Sequence, residues 1–129
     1  MSGTTIDAPD VRAWSVASGL GRVAIGLGLL AVPERAARAL GFEQVNPATV
    51  AVSRIAGVRD FVLGISTLAA LEDRHRLRAA TLANAAADAG DTLAFAAALG
   101  SSERRAAVLG LGAALPAALA GIWTAWRLT

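Results

Sequence analysis

Between Arg105 and Arg127 the chain runs through 21 residues without a single charge, from Ala106 to Trp126. At a rise of about 1.5 Å per residue such a helix covers the ~30 Å hydrocarbon core of a bilayer. Pro116 sits near its middle. Trp123 and Trp126 lie near its end, where amphipathic rings favour the headgroup level. A chain obliged to accommodate this segment has few places to put it in water. Only 17% of the residues are charged, against ~25% in soluble domains, and 55% are hydrophobic, so at 129 residues there is too much apolar surface for one small core.

Three further segments have spanning length but carry ionisable side chains: about Ala13 to Val32 with Arg22, Thr49 to Leu71 with Arg54, Arg59 and Asp60, and Ala79 to Gly100 with Asp88 and Asp91. Each such charge lowers insertion by ~2.5–3.5 kcal/mol. The competing reading is a soluble four-helix bundle, with the charges on solvated faces. The first segment argues against it, because Ser15, Ser18 and Arg22 form one narrow stripe on a helix that is otherwise apolar nearly all round. The expected fold is all-α, a four-transmembrane-helix bundle.

The connections support this organisation. Pro33 to Leu40 reads as a short interfacial helix after the first span, ending at Gly41, and Asn46-Pro47 marks a turn before the second. Glu72 to Arg78, a short charged loop, makes spans two and three an antiparallel pair, and Ser101 to Arg105 does the same for spans three and four. Five arginines (Arg12, Arg74, Arg76, Arg78, Arg127) fall on one side and four (Arg35, Arg38, Arg104, Arg105) on the other. This favours both termini in the cytoplasm and a multi-pass protein of the cell (inner) membrane. Residues 1–12 contain two aspartates and no basic region, so they read as a cytoplasmic tail and not a cleaved signal, preceding a single membrane domain over 13–129.

Charge is expensive inside a bilayer unless it faces a bundle interior, pairs, or lines a wet cavity. Arg22, Arg54, Arg59, Asp60, Asp88 and Asp91 balance three against three, which suits one buried network between the first three spans, with the fourth serving as packing and lipid contact. Asn84, Asp88, Asp91 and Thr92 share a stripe on the third span. On the second, Arg54, Gly57, Asp60 and Gly64 share a sector of about 120°, while Arg59 points away to another neighbour or to the interface. Carboxylates one turn apart in low dielectric do not both ionise cheaply unless arginines neutralise them. An acid beside a carboxylate, bridged by arginine, is equipment for general acid–base work on an uncharged substrate. The six charged residues are thus candidate catalytic groups, with Ser18, Asn84 and Thr92 as candidate substrate contacts. A structural polar lock is the plainer alternative, since ion networks form without doing chemistry.

Other classes are excluded or unsupported. The chain has no cysteine and no lysine, so a disulfide scaffold, a cysteine zinc site and a phosphate loop with its lysine are ruled out. His75 stands between arginines in the charged loop and reads as solvated. No metal set is visible and no cofactor is implied. Nucleic-acid binding would need a dense basic face, which a net charge of +2 does not suggest.

The stretch from Arg54 to Gly64, RIAGVRDFVLG, together with Pro33, Gly41 and Asp88, resembles a family of small four-helix membrane proteins of unknown function. Its recurring pattern is Arg, two residues, Gly, one residue, Arg-Asp, then Leu-Gly. The resemblance runs from about Trp14 to Trp126 and implies the membrane topology and the importance of Arg54, Gly57, Arg59, Asp60 and Gly64. Three functions are compatible with these observations. One is a cofactor-independent acid–base enzyme acting on a lipophilic small molecule by epoxide opening, cyclisation or isomerisation. The second is a transport or binding module, a homo-oligomer because four short helices enclose little room. The third is a structural accessory subunit of a membrane complex.

Overall fold

In the computed structural model, which describes residues 9–129, five helices follow one another: α1 (Pro9–Ala31), α2 (Pro33–Ala39), α3 (Pro47–Ala69), α4 (Arg74–Ala98) and α5 (Arg104–Arg127). The described residues contain no strand, as the sequence implies. Helix starts are set by local chemistry. Pro33 and Pro47 occupy first-turn positions where a missing N–H is harmless, and the Asn46 Oδ1 accepts the Thr49 N–H at 3.0 Å. Asp73 caps α4 by accepting the Arg76 N–H at 3.0 Å. The short α2 ends where Gly41 turns the chain at φ +92°.

Two expected boundaries shift. The charged stretch Glu72 to Arg78 is not a loop beyond Asp73, because the Asp73 cap starts α4 at Arg74, and His75 stands exposed in its first turn. Residues 9–12, expected in the tail, form the first turn of α1, with Pro9 opening it and Asp10 in its acidic position. The reading of residues 1–8 as a cytoplasmic tail lies outside the described residues.

The four long helices alternate in direction and pack as two intimate pairs. In the first, α1 and α3 approach through glycine. A Cβ on Gly26 would stand 2.6 Å from the Phe61 N and 2.7 Å from the Gly57 O, and one on Gly64 would stand 2.7 Å from the Gly19 O. Small residues let backbones come this close, a recurrent device where helix packing has no water to exclude. In the second pair, Gly121 of α5 faces Ala85 of α4, and Gly110 receives the ring of Phe95.

The pairs meet mainly at their ends. At one end Val11, Ala70, Leu77 and Leu128 form a buried apolar plug, ringed by Arg12–Glu72 (2.7 Å) and Arg127–Asp10 (3.3 Å) ion pairs. At the other, the Glu103 carboxylate accepts the backbone N–H groups of Glu43 and Gln44 at 2.9 and 3.2 Å. Between these ends a cleft remains.

Beside a buried set of small and aliphatic residues such as Leu29, Leu77 and Ala118, polar groups are buried and large apolar ones exposed. Ser15, Ser53, Asp60, Thr67, Thr81, Asn84, Asp88 and Thr124 are buried, while Ile55, Leu93 and Trp126 are 69%, 73% and 69% exposed. Leu20, Val52, Val62, Leu119 and Ile122 extend this exposed apolar surface over the outer faces of α1, α3 and α5. By length and composition, α1 and α5 are the two described helices apolar enough to cross a membrane.

Candidate functional site

Halfway along the long helices, five charged side chains converge from three of them. Arg22 of α1 donates through Nη1 to Asp60 Oδ1 of α3 at 3.0 Å, and through Nη2 to Asp88 Oδ2 of α4. These three side chains are only 10–11% exposed. Arg59 of α3 grips Asp91 of α4 with both terminal nitrogens, at 2.6 and 2.7 Å, and reaches Asp60 Oδ1 at 3.3 Å through Nη2. Paired nitrogens on paired oxygens fix orientation as well as distance. The two arginines thereby tie both helix pairs together.

A polar step lies one turn away. Thr67 gives its hydroxyl proton to the Leu63 carbonyl at 2.9 Å, so its oxygen accepts, and Asn84 must present Nδ2 to it, at 2.9 Å. That orients the amide. Asn84 Oδ1, buried, has no hydrogen-bond partner among the described residues.

Network and step form part of the wall of a cavity of about 450 Å³ between the pairs. This is within the ~300–1,000 Å³ range of small-molecule sites. Trp14, Ile25 and Leu40 give one wall its apolar character, and Leu109, Ala113 and Ala117 give the other. Polar groups are few and convergent.

The structure brings together Arg22, Arg59, Asp60, Asp88, Asp91 and Asn84, with Ser18 on the cavity wall. Three other placements differ from the sequence reading. Arg54 is exposed and makes no ion pair among the described residues, because it emerges on the side of α3 away from α4. Thr92 does not line the cavity, and its hydroxyl bonds back to the Asp88 carbonyl at 2.7 Å. Helix α5 is more than packing and lipid contact, for Gly110, Ala114 and Gly121 line the cavity with it. Without Arg54 the charge no longer balances: two guanidiniums face three carboxylates. Ser15 lines the wall with the stripe it shares with Ser18 and Arg22, and Thr81 with the stripe of Asn84 and Asp88, whereas Thr67 was not foreseen as a wall residue. Thr67 was within reach, as it continues the Asp60, Gly64 stripe at the next helical repeat.

Against this geometry, a family model describing a domain of unknown function, DUF4267, matches residues 19–126, from the α1 glycine seam to the end of α5. The chain belongs to the DUF4267 family. The match takes in every charged member of the cluster. No curated protein and no solved structure matches the chain.

Proposed function

We propose that this DUF4267 protein is a four-span membrane protein that binds a lipophilic small molecule between its helix pairs and moves a proton on it without a cofactor. The observation that carries this reading is the cavity itself, apolar on most of its wall and met at mid-helix by Arg22, Arg59, Asp60, Asp88 and Asp91. A lock that served only to fix helix packing would need no such space beside it.

Membrane insertion of all four long helices is supported by the direction of their charges. At mid-helix Asp60 of α3 and Asp88 of α4 turn inward, while Val52, Ile55, Val58, Val62 and Ile65 of α3 and Leu82 and Leu93 of α4 face outward. Arg54 lies two turns from the Pro47 end of α3, a depth from which a long arginine reaches the interface. The short α2 then lies at the membrane surface.

Within the site the carboxylates have different tasks. Asp91 takes both Arg59 nitrogens, and Asp60 Oδ1 accepts from both arginines, so these two are the more firmly held by guanidinium. Asp88 is held through one oxygen, and its Oδ1 accepts no bond from the described residues. With three carboxylates and two guanidiniums, one exchangeable proton completes the balance, and Asp88 is the group placed to carry it. Epoxide opening, cyclisation and isomerisation need only such an acid–base pair in a dry pocket.

The test is turnover of a panel of lipophilic epoxides and polyenes by the protein in lipid nanodiscs, followed by mass spectrometry. Asp88→Asn and Asp60→Asn are each expected to lower turnover by about 10²–10⁴-fold, with helical content unchanged by circular dichroism. Full activity in both variants would overturn the proposal.

A further inference from the structure

Each boundary of the cavity but one is closed by contacts between side chains or backbones. Along α1 and α3 the close approach at Gly19, Gly26, Gly57 and Gly64 leaves no gap, and along α4 and α5 the Phe95 ring lies on Gly110 and Ala85 on Gly121. Across the seam between α3 and α4, the two-nitrogen grip of Arg59 on Asp91 bars the way at mid-helix. One end is plugged by Val11, Ala70, Leu77 and Leu128. At the other, the turn after α2 is held to α5, with Gly41 against Ala106 and Glu103 accepting from the backbone of Glu43 and Gln44. The remaining boundary is the seam between α1 and α5.

That seam is built differently. Its one polar link among the described residues is the Arg127–Asp10 pair at 3.3 Å, at the plugged end. Away from that end α1 and α5 scarcely touch, and Gly21, Ile25 and Ala113 line the cavity while also being exposed on the outer surface. Gly21 stands eleven residues in from Asp10 and Ala117 ten residues back from Arg127, so in these antiparallel helices the two come level across the seam, beside Arg22. Nothing lies within 4 Å of a Cβ on Gly21, whereas one on Gly19 would stand 2.9 Å from Leu68 and one on Gly26 2.6 Å from Phe61. Helix packing demands the latter two glycines and does not demand Gly21. None of Gly21, Ile25, Ala113 and Ala117 carries a polar side chain, so the passage offers nothing to replace the hydration of a charged solute. A molecule already dissolved in hydrocarbon gives up no hydration there.

We propose that the seam between α1 and α5 is a lateral portal through which the ligand enters from the bilayer. The ligand is then a molecule dissolved in the acyl region, which passes between Gly21 and Ala117 with its reacting end leading and leaves any remaining chain in the lipid. This rests on the reading of the cavity as a binding site in a four-span protein. Gly21 keeps the opening wide beside Arg22. Water-soluble molecules have no comparable way in.

The chain has no cysteine, so Ser18→Cys, a near-isosteric change on the cavity wall, places a single thiol inside. The full chain carrying it, in phosphatidylcholine nanodiscs that leave both membrane faces accessible, is treated with N-dodecylmaleimide or with a sulfonated maleimide that stays in water. Labelling is followed by intact mass. Dodecylmaleimide is expected to react about ten-fold faster or more, ~1.4 kcal/mol in barrier. Gly21→Leu and Ala117→Leu, added from opposite lips, are each expected to slow it by about ten-fold. Gly112→Leu, at an exposed position on α5 that lies off the cavity wall and has no neighbour within 4 Å, is expected to leave the rate unchanged. Equal rates for the two reagents, or undiminished dodecylmaleimide labelling in both leucine variants, would overturn the portal and leave the cavity as a site reached by another route. No labelling by either reagent until SDS unfolds the protein would overturn the cavity as a binding site as well. Where one leucine variant does not fold, the other lip and the reagent comparison on Ser18→Cys still test the route.

Discussion

Arg22 holds two carboxylates from two different helices, and its removal would leave Asp60 with only its long contacts to Arg59 and Asp88 with no cation in reach. Breaking a buried pair from one side is more damaging than never having built it, because the stranded charge keeps its desolvation penalty. Arg22→Ala is therefore expected to destabilise the fold by about 3–5 kcal/mol, read as a lowered unfolding midpoint in an SDS titration. Arg54→Ala, at an exposed position with no ion-pair partner among the described residues, is expected to stay within about 0.5 kcal/mol of the parent in the same assay. Equal losses in the two variants would contradict the placement of the network on one side of α3.

At the scale of elements, glycine decides which helices touch. Gly26 meets backbone atoms of Gly57 and Phe61, which have no rotamer to yield, whereas nothing lies within 4 Å of a Cβ on Gly28. Gly26→Ala is expected to wedge α1 from α3 and cost about 1–3 kcal/mol. Gly28→Ala should be neutral or stabilising by up to about 1 kcal/mol, from helix propensity alone. The two measured side by side separate close packing from general intolerance of substitution. Helix α4 has its own signature. The Arg76 backbone N–H, foremost, holds the Asp73 carboxyl below the usual carboxylate range. A depressed folded value means that the cap's ionic stabilisation is complete above the unfolded pKa of about 4 and fades as the pH falls through the folded value. Asn accepts the same bond without titrating, so any thermal advantage of the parent over Asp73→Asn should be constant above about pH 5 and shrink below about pH 4. An advantage that grew on acidification would refute the cap.

For the whole molecule, the four-span arrangement predicts where each connection emerges. The chain lacks cysteine, so single substitutions at Glu72, between α3 and α4, and Ser102, between α4 and α5, provide clean labelling sites. With four spans, a membrane-impermeant maleimide applied to intact cells should label one of them, and the other only after permeabilisation. If α1 and α5 alone crossed, both positions would lie on the same side and label together. In the four-span arrangement the buried Arg–Asp network would sit at the depth where charge is most expensive, and the exposed apolar belt of Ile55, Leu93 and Trp126 would face lipid.

Local and periodic features were legible in the sequence. The helical class, the short helix opening at Pro33, the turn at Asn46-Pro47 and the inward stripes carrying Arg22, Asp60 and Asp88 follow from hydrophobic runs, caps and a period of 3.6 residues, all properties of a segment by itself. The start of α4 was misplaced because a run of charges resembles a loop until Asp73 is recognised as its cap. The makeup of the site needed the tertiary structure. Measured around α3, Arg54 and Arg59 fall about 120° and 100° to opposite sides of Asp60, and one helical wheel cannot tell which side will face a neighbour. The hand of the bundle put α4 beside Arg59, leaving Arg54 outside and the site one positive charge short. The same arrangement brought α5 to the cavity wall, through small residues that carry no chemical signal of their own. A sequence specifies which faces of a helix are polar; which faces meet, and so which charges are paired and which acceptors stay open, is settled only when the helices pack.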